Sequence, residues 1–127
     1  IEQRDIAITD VKSAYLNAKM KGQVIMKIRG REVELFCQLD PSLRKFTTKE
    51  NDKTVLYVQL DKALYGCVTS ALLWYELYST TLEGMGFKLN PYDLCVANAI
   101  IEEKQCTICW YVDDNKISHM NPKVVDS

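Results

Sequence analysis

The sequence has no long hydrophobic run, little glycine and proline, and almost no net charge. No stretch of about 18 apolar residues occurs, so we expect no membrane-spanning helix. Five glycines and three prolines in 127 residues exclude collagen-like and low-complexity chains. With a net charge of -1, the chain as a whole lacks the basic character of an ordinary nucleic-acid-binding module. Its 47% hydrophobic and 26% charged residues are typical of a globular protein, and at this length we expect one core.

The cysteine and histidine content predicts neither a disulfide framework nor a zinc site. Five cysteines are an odd number without framework spacing, so we expect reduced thiols in a reducing compartment. Cys106 and Cys109 form a CxxC pair, but there is no second pair and only one histidine. Residues three apart on a strand point to opposite faces, which places these two thiols poorly for one ion. We expect the single histidine, His119, to lie at the surface at a strand end rather than to act as a general acid.

The sequence does not start with methionine, and its charges are unevenly distributed between the two halves. The first residues, Ile-Glu-Gln-Arg-Asp, contain no initiator methionine and no signal peptide, so we expect an internal segment of a longer, non-secreted protein. Residues 1–60 carry 11 Lys/Arg and 8 Asp/Glu, whereas residues 61–127 carry 5 and 9. The five cations within residues 19–31 have no acid among them. They fit either a solvated hairpin face or an edge that faces phosphate.

The apolar pattern predicts an α+β fold, in which an antiparallel sheet has helices packed on one face. One long helix is predicted over residues 69–85, where apolar side chains recur at helical spacing and glycines follow. A short helix is predicted from Asp40-Pro41-Ser42 to about Phe46, and Asn121-Pro122 marks a turn that can open another. The predicted strands are 5–12, which we expect to be buried, 24–28 and 33–36 as a hairpin, 54–60, 94–101 with 106–112 as a second hairpin, and 115–119.

Three aspartates are the candidate chemical groups. Asp10 ends the first predicted strand, and the adjacent Asp113 and Asp114 lie at the tip of a predicted hairpin. If the two strands are neighbours in one sheet, the carboxylates converge, and a divalent cation such as Mg²⁺ would offset their repulsion. Two such ions can stabilise the attacking and leaving oxygens of an in-line phosphoryl transfer. In the plain alternative, Asp113 and Asp114 form a solvated turn and Asp10 caps a helix.

Five sequence blocks make the pattern specific. They are AITDVKSAYLN at 7–17, LDKALYG at 60–66, WY at 74–75, GF at 86–87 and YVDD at 111–114. In this order and spacing, over nearly the whole chain, they resemble the reverse transcriptase of copia-type LTR retrotransposons. YVDD alone is a weak signal, but its combination with the other blocks is a strong one. The resemblance implies an RNA-directed DNA polymerase fragment: a right-hand polymerase palm with part of the fingers, without the upstream fingers, thumb and RNase H.

The resemblance also implies a two-metal site. Asp10 and Asp113 would be the metal-binding carboxylates, Asp114 the third acid, and Val11 a backbone-carbonyl ligand. Two Mg²⁺ or Mn²⁺ ions would serve the attack of a primer 3′-hydroxyl on the α-phosphorus of a deoxynucleoside triphosphate. We expect the isolated 127-residue chain to show no processive synthesis.

Five further residues acquire roles from the same resemblance. Ser13 and Ala14 would offer backbone N–H groups to the triphosphate, and Tyr15 would lie beneath the incoming sugar. A ring in that place leaves no room for a 2′-hydroxyl, so deoxynucleotides are favoured. Tyr65 and Gly66 would belong to a loop that approaches the nucleotide and the template–primer, with Gly66 allowing close backbone contact.

The implied partners are an RNA or DNA template with primer, deoxynucleoside triphosphates and the rest of the retrotransposon polyprotein. The implied location is cytoplasmic, in a virus-like particle with nuclear delivery of the product, and no membrane is involved. Two departures stand out. Residues 68–72 read VTSAL where copia-type elements have KQAPR, which removes cations that face template and primer. Asn115-Lys116 replaces an apolar pair, so we expect a shorter or more exposed strand there.

Two other functions stay open at the level of sequence. The chain could be a degenerate, non-catalytic palm remnant that serves only as a structural or binding piece. A metal-sensing or phosphatase-type domain would need a phosphate-binding cation beside Asp10, for which Lys12 is the one candidate. We expect the helical aromatic residues Trp74, Tyr75 and Tyr78 to be packing residues rather than base-stacking platforms.

Overall fold

The computed structural model describes residues 2–126 as a mixed α+β chain with antiparallel sheets. The strands are β1 Asp5–Asp10, β2 Ile25–Arg29, β3 Thr47–Glu50, β4 Lys53–Gln59, β5 Lys88–Leu89, β6 Val96–Ile101, β7 Lys104–Tyr111 and β8 Asp114–His119. The helices are α1 Ala14–Asn17, α2 Arg31–Leu39, α3 Ser70–Gly84 and α4 Pro122–Val125, with a 3₁₀ helix at Pro41–Phe46. The antiparallel α+β class is therefore confirmed.

The described chain forms two units, and each has its own hydrophobic cluster, so the expectation of one core is wrong. The smaller unit is Met20–Lys62, and the larger one comprises the residues up to Lys19 and from Ala63 onward. Their separate clusters contain Leu82, Phe87 and Trp110 in the larger unit and Ile28, Val33 and Leu56 in the smaller. Among residues 2–126, no helix has the length and apolar character needed to cross a bilayer.

The larger unit is built on a five-stranded antiparallel sheet in the order β1-β8-β7-β6-β5. Strand β7 follows the two-residue period of a half-buried strand, because Cys106, Ile108 and Trp110 are buried and the residues between them are not. Helix α3 packs on this buried face through Leu82 and the partly buried Tyr78. The predicted long helix and its packing aromatics are thus confirmed.

Strand β1 is an edge strand and not the buried strand that the sequence predicted. It pairs only with β8 in the sheet, and five of its six residues are exposed. Ile8 is 80% exposed and Ile6 is 55% exposed. An alternating apolar pattern identified the strand, but alternation cannot tell whether anything covers the face on which those side chains lie.

The smaller unit has a three-stranded antiparallel sheet, β2-β4-β3, against which α2 packs. The hairpin predicted for residues 24–28 and 33–36 is wrong, because the partner of β2 is β4 and residues 31–39 are helical. Helix α2 buries Val33 and Cys37, which are four residues apart and so lie on one helical face. The 3₁₀ helix confirms the predicted short helix, and the Asp40 side chain caps it by accepting the Ser42 N–H at 3.0 Å.

The last strand, β8, starts one residue before the predicted 115–119 and runs over six residues. Of the Asn115-Lys116 pair, Lys116 is exposed as expected, but Asn115 is only 3% exposed, contrary to the expectation of a more exposed strand. His119 is fully buried and not at the surface. Its Nδ1 accepts the Asn121 N–H at 3.0 Å, which leaves Nε2 to donate to the Ile101 carbonyl at 3.0 Å. Both ring nitrogens are thus satisfied by backbone, which makes burial of the ring tolerable.

Candidate active site

The YVDD block forms the tight turn between β7 and β8. Tyr111 and Asp114 are paired across the two strands, so the turn consists of Val112 and Asp113 alone. Val112 has φ 56°, a left-handed conformation that is unfavourable for a β-branched residue. Such strain costs on the order of 1–3 kcal/mol, and it persists where the surrounding structure imposes it, often at functional sites.

Three side-chain hydrogen bonds link this turn to α3, one directly and two through Asn115 of β8. The Trp74 Nε1–H donates to the Val112 carbonyl at 2.6 Å. The Asn115 amide nitrogen donates to the Asp113 carbonyl at 3.1 Å, and the Tyr78 hydroxyl donates to the Asn115 Oδ1 at 2.7 Å. These three supporting residues were missed as site residues. The available signal was an asparagine at an inward-facing position of a predicted strand.

Asp10 reaches the turn through β8. The strand that precedes Asp113 is not a neighbour of β1, because β8 lies between them, and yet Asp10 is directly paired with Asp114. One residue further, the Val11 N–H donates to the Asp113 carbonyl at 2.8 Å. Directly paired residues of an antiparallel sheet point to the same face, where two like charges are destabilising. A cation between the carboxylates would remove that repulsion.

The donor set fits a cation that is shared with a substrate rather than one that the protein encloses by itself. Among residues 2–126, no group of three His, Cys, Asp or Glu side chains could hold a metal ion. Asp10 and Asp114 are exposed and Asp113 is half-buried, so all three carboxylates are open to ligands from solution. Mg²⁺ is usually bound by one or two carboxylates together with waters and substrate phosphates. The carboxylates of Asp10 and Asp113 with the Val11 carbonyl are consistent with this pattern.

Two tyrosines lie beside these acids. The rings of Tyr15 and Tyr65 are stacked, with centroids 4.2 Å apart and an interplanar angle of 25°. The Tyr65 hydroxyl donates to the Asp113 Oδ2 at 3.4 Å, a long hydrogen bond. Partial desolvation, followed by the negative charge of Asp113, raises the pKa of Tyr65 above its usual value. The hydroxyl therefore stays protonated at neutral pH and available as a donor.

The loop that carries Tyr65 is a turn that requires glycine. The Cys67 N–H donates to the Leu64 carbonyl at 3.1 Å, and Gly66 occupies the third position of this turn with φ 93°. A positive φ at that position is the signature of a type II turn, which favours glycine. The fully buried Ser70, at the start of α3, accepts the Leu64 N–H at 3.0 Å through its hydroxyl. Its hydroxyl fixes the loop to the helix.

Ser13 and Ala14, which follow Asp10 in the chain, differ in their exposure to solvent. Ser13 is exposed with φ 56° and precedes α1 at the N-cap position, so the alternative in which Asp10 caps this helix is wrong. Ala14 is fully buried, at 0% exposure, so its amide is covered in this structure. Of the two residues predicted to bind the triphosphate, Ser13 is thus the exposed one. Val68, in the departing VTSAL segment, is 97% exposed.

The two cysteines of the CxxC pair lie on opposite faces of β7. Cys106 is buried among the residues that pack on α3, whereas Cys109 is half-buried on the opposite face of β7. Burial raises the pKa of the Cys106 thiol. All five cysteines lie within the described residues and are free thiols. The CxxC pair therefore has the geometry that the strand assignment predicted.

The structure links most of the predicted site residues through direct contacts or strand pairing. The linked residues are Asp10, Val11, Tyr15, Tyr65, Asp113 and Asp114. No model of a known protein family matches this chain, and no curated protein or solved structure is similar enough to count as a match.

Proposed function

We propose that this chain is the palm, with part of the fingers, of a copia-type reverse transcriptase, an RNA-directed DNA polymerase. One observation carries the proposal. The DVKSAY and YVDD blocks lie about a hundred residues apart in sequence, yet Asp10 pairs with Asp114 and the Val11 N–H bonds to the Asp113 carbonyl. The resemblance, which rests only on the sequence blocks with their order and spacing, requires this meeting of the two blocks.

Asp10, Asp113 and the Val11 carbonyl would hold the divalent cations in this proposal, with Asp114 as the third acid. Such ions supply charge stabilisation for nucleotidyl transfer and lower the pKa of an attacking hydroxyl. The chain's own residues hold and shape the site. The Tyr65 hydroxyl orients the Asp113 carboxylate, and Tyr15, stacked on Tyr65, would form a floor that excludes a 2′-hydroxyl.

The proposed partners are a primed RNA or DNA template, deoxynucleoside triphosphates and the flanking retrotransposon polyprotein, within a cytoplasmic particle. Ser13, an exposed residue, would contact the triphosphate through its backbone amide, and Gly66 would approach the template–primer. For Ala14 to act in the same way, its amide would have to be uncovered when the nucleotide binds.

Calorimetric titration with Mn²⁺ tests the metal site. We expect wild type to bind Mn²⁺ and Asp10→Asn to lose most of that affinity, because one of the two principal carboxylates is gone. Asp52→Asn, in the β3–β4 turn of the other unit, is the control and should bind as wild type. Unchanged Mn²⁺ binding by Asp10→Asn would remove the site assignment.

Primer extension tests the activity. We expect synthesis by a longer protein that includes the polyprotein sequence on both sides of the chain, and none that is processive by the 127-residue chain alone. In the longer protein, Asp113→Asn should abolish extension. If the chain binds Mn²⁺ but the longer protein extends no primer, the chain is a non-catalytic palm remnant.

A further inference from the structure

A buried polar chain lies behind the YVDD turn, where the hydrophobic core would otherwise continue. Asn115 is 3% exposed and faces the aromatic cluster of α3 and β7. A buried amide is destabilising unless its donors and acceptor find partners. Here the Asn115 amide has a partner for its nitrogen and another for its oxygen. Because an apolar side chain would fill the core without needing partners, the buried amide points to a role other than packing.

The direction of these hydrogen bonds is fixed by chemistry. The Asp113 carbonyl can only accept, so the Asn115 group that contacts it at 3.1 Å is the amide nitrogen. The Asn115 Oδ1 therefore faces Tyr78, whose hydroxyl must donate to it, at 2.7 Å. The chain runs in one direction, from Tyr78 through Asn115 to Asp113.

The Asp113 carbonyl also bonds to the residue that follows β1. It accepts the Val11 N–H at 2.8 Å as well as the Asn115 amide. One oxygen thus links the turn to the strand end that carries Asp10 and to the helix α3 behind it. With the Val112 carbonyl bonded to Trp74, both turn residues are bonded to α3, directly or through Asn115.

We propose that Asn115, oriented by Tyr78, is a positioning residue that fixes the Asp113 carboxylate relative to Asp10 and so sets the affinity of the site for a divalent cation. The proposal rests on the proposed function, in which these acids bind that cation. Residues that orient metal ligands without touching the metal commonly change metal affinity by about 10- to 100-fold when they are replaced.

Three variants separate positioning from plain stability. Tyr78→Phe leaves the Asn115 Oδ1 without its donor, and Asn115→Leu leaves the Tyr78 hydroxyl without its acceptor. The double variant Tyr78→Phe/Asn115→Leu removes both polar groups with little change of shape, which is often nearly neutral for stability. Tyr75→Phe is the matched control, because it deletes a hydroxyl of the same helix that contacts the Leu94 carbonyl instead, at 3.4 Å.

The variants are compared by melting temperature, by Mn²⁺ titration and by hydrogen exchange of the Val11 amide. We expect both single variants to melt lower than wild type and the double variant to recover most of that loss. Every variant that lacks Asn115 should nevertheless bind Mn²⁺ on the order of tenfold more weakly and exchange the Val11 amide faster. Tyr75→Phe should match wild type in Mn²⁺ affinity and Val11 exchange.

Opposite results identify which idea fails. If the double variant binds Mn²⁺ like wild type, Asn115 only stabilises the fold and the positioning role is overturned. If wild type binds no Mn²⁺ at all, the proposed function fails on its own account. In that case, hydrogen exchange of the Val11 amide still tests whether Asn115 holds the turn in place. Unchanged exchange in Asn115→Leu overturns this role of Asn115, and faster exchange supports it.

Discussion

Replacement of Trp74 by phenylalanine removes the bond that holds the strained turn from behind. Trp74 is 5% exposed, and its Nε1–H is 2.6 Å from the Val112 carbonyl. Phenylalanine keeps an aromatic ring near Tyr78, with which Trp74 is stacked at 5.2 Å, but it has no donor. The carbonyl of a residue with φ 56° then loses its side-chain partner.

Two effects add up in this variant. The carbonyl of the half-buried Val112, left without this donor, destabilises by about 1–3 kcal/mol. Loss of the whole Trp side chain from a core costs about 3–5 kcal/mol, so the smaller reduction to phenyl costs about 1 kcal/mol. The sum is about 2–4 kcal/mol, and in a domain of this size that lowers the melting temperature by about 10 °C.

Trp110→Phe is the control for the loss of ring volume. Trp110 is 6% exposed in the same aromatic cluster, and residues 2–126 include no acceptor hydrogen-bonded to its indole nitrogen. Thermal and urea unfolding of both variants should show Trp74→Phe to be the more destabilised by about 1–3 kcal/mol, the hydrogen-bond contribution. Equal destabilisation of the two variants would refute the view that this bond holds the turn.

Two predictions concern other parts of the chain. Gly66→Ala should destabilise the protein by about 1 kcal/mol, because alanine is strained at φ 93°. Gly84→Ala, at the end of α3, should instead stabilise it by up to about 1 kcal/mol. Thermal melts in which both variants shifted in the same direction would contradict this prediction. In the smaller unit, hydrogen bonds from Lys27 and Tyr57 lower the pKa of the Glu50 carboxyl. The stability that this depressed pKa contributes is present above the unfolded pKa of about 4.3 and is lost as the pH falls through the folded value. Glu50→Gln should therefore flatten the acid side of a plot of melting temperature against pH. An unchanged acid side would exclude the contribution.

Local pattern was sufficient for the elements in which one face is buried along most of the element. Helix α3 and strand β7 are of this kind, since their apolar spacing matched 3.6 and 2 residues. Helix α2 is not, because Val33, Leu35 and Cys37 alternate as in a strand. The structure buries Val33 and Cys37 on one helical face and leaves Leu35 exposed. Two periods fit the same short segment, and only packing against the sheet decides between them.

The sequence singled out the candidate acids, but it did not single out the residues that hydrogen-bond the turn carrying Asp113. Asp10 and Asp113 belong to recognisable blocks, whereas Asn115 has its partner Tyr78 on a helix 37 residues away. Its burial depends on a tertiary contact that no local pattern contains. His119 illustrates the same limit, because its burial is made possible by the Ile101 carbonyl at the end of β6, a strand that does not pair with β8.

The pairing of β1 with β8 makes the candidate site one of the most non-local features of the fold. Asp10 and Asp114 are 104 positions apart in sequence, so their meeting requires closure of a very long loop, and contacts of that kind form slowly. During synthesis, β1 must leave the ribosome long before its partner strand exists, with Ile6 and Ile8 exposed. A nascent chain that stops short of residue 114 therefore has no paired acids, and the pairing of Asp10 with Asp114 can form only after β8 has been synthesised.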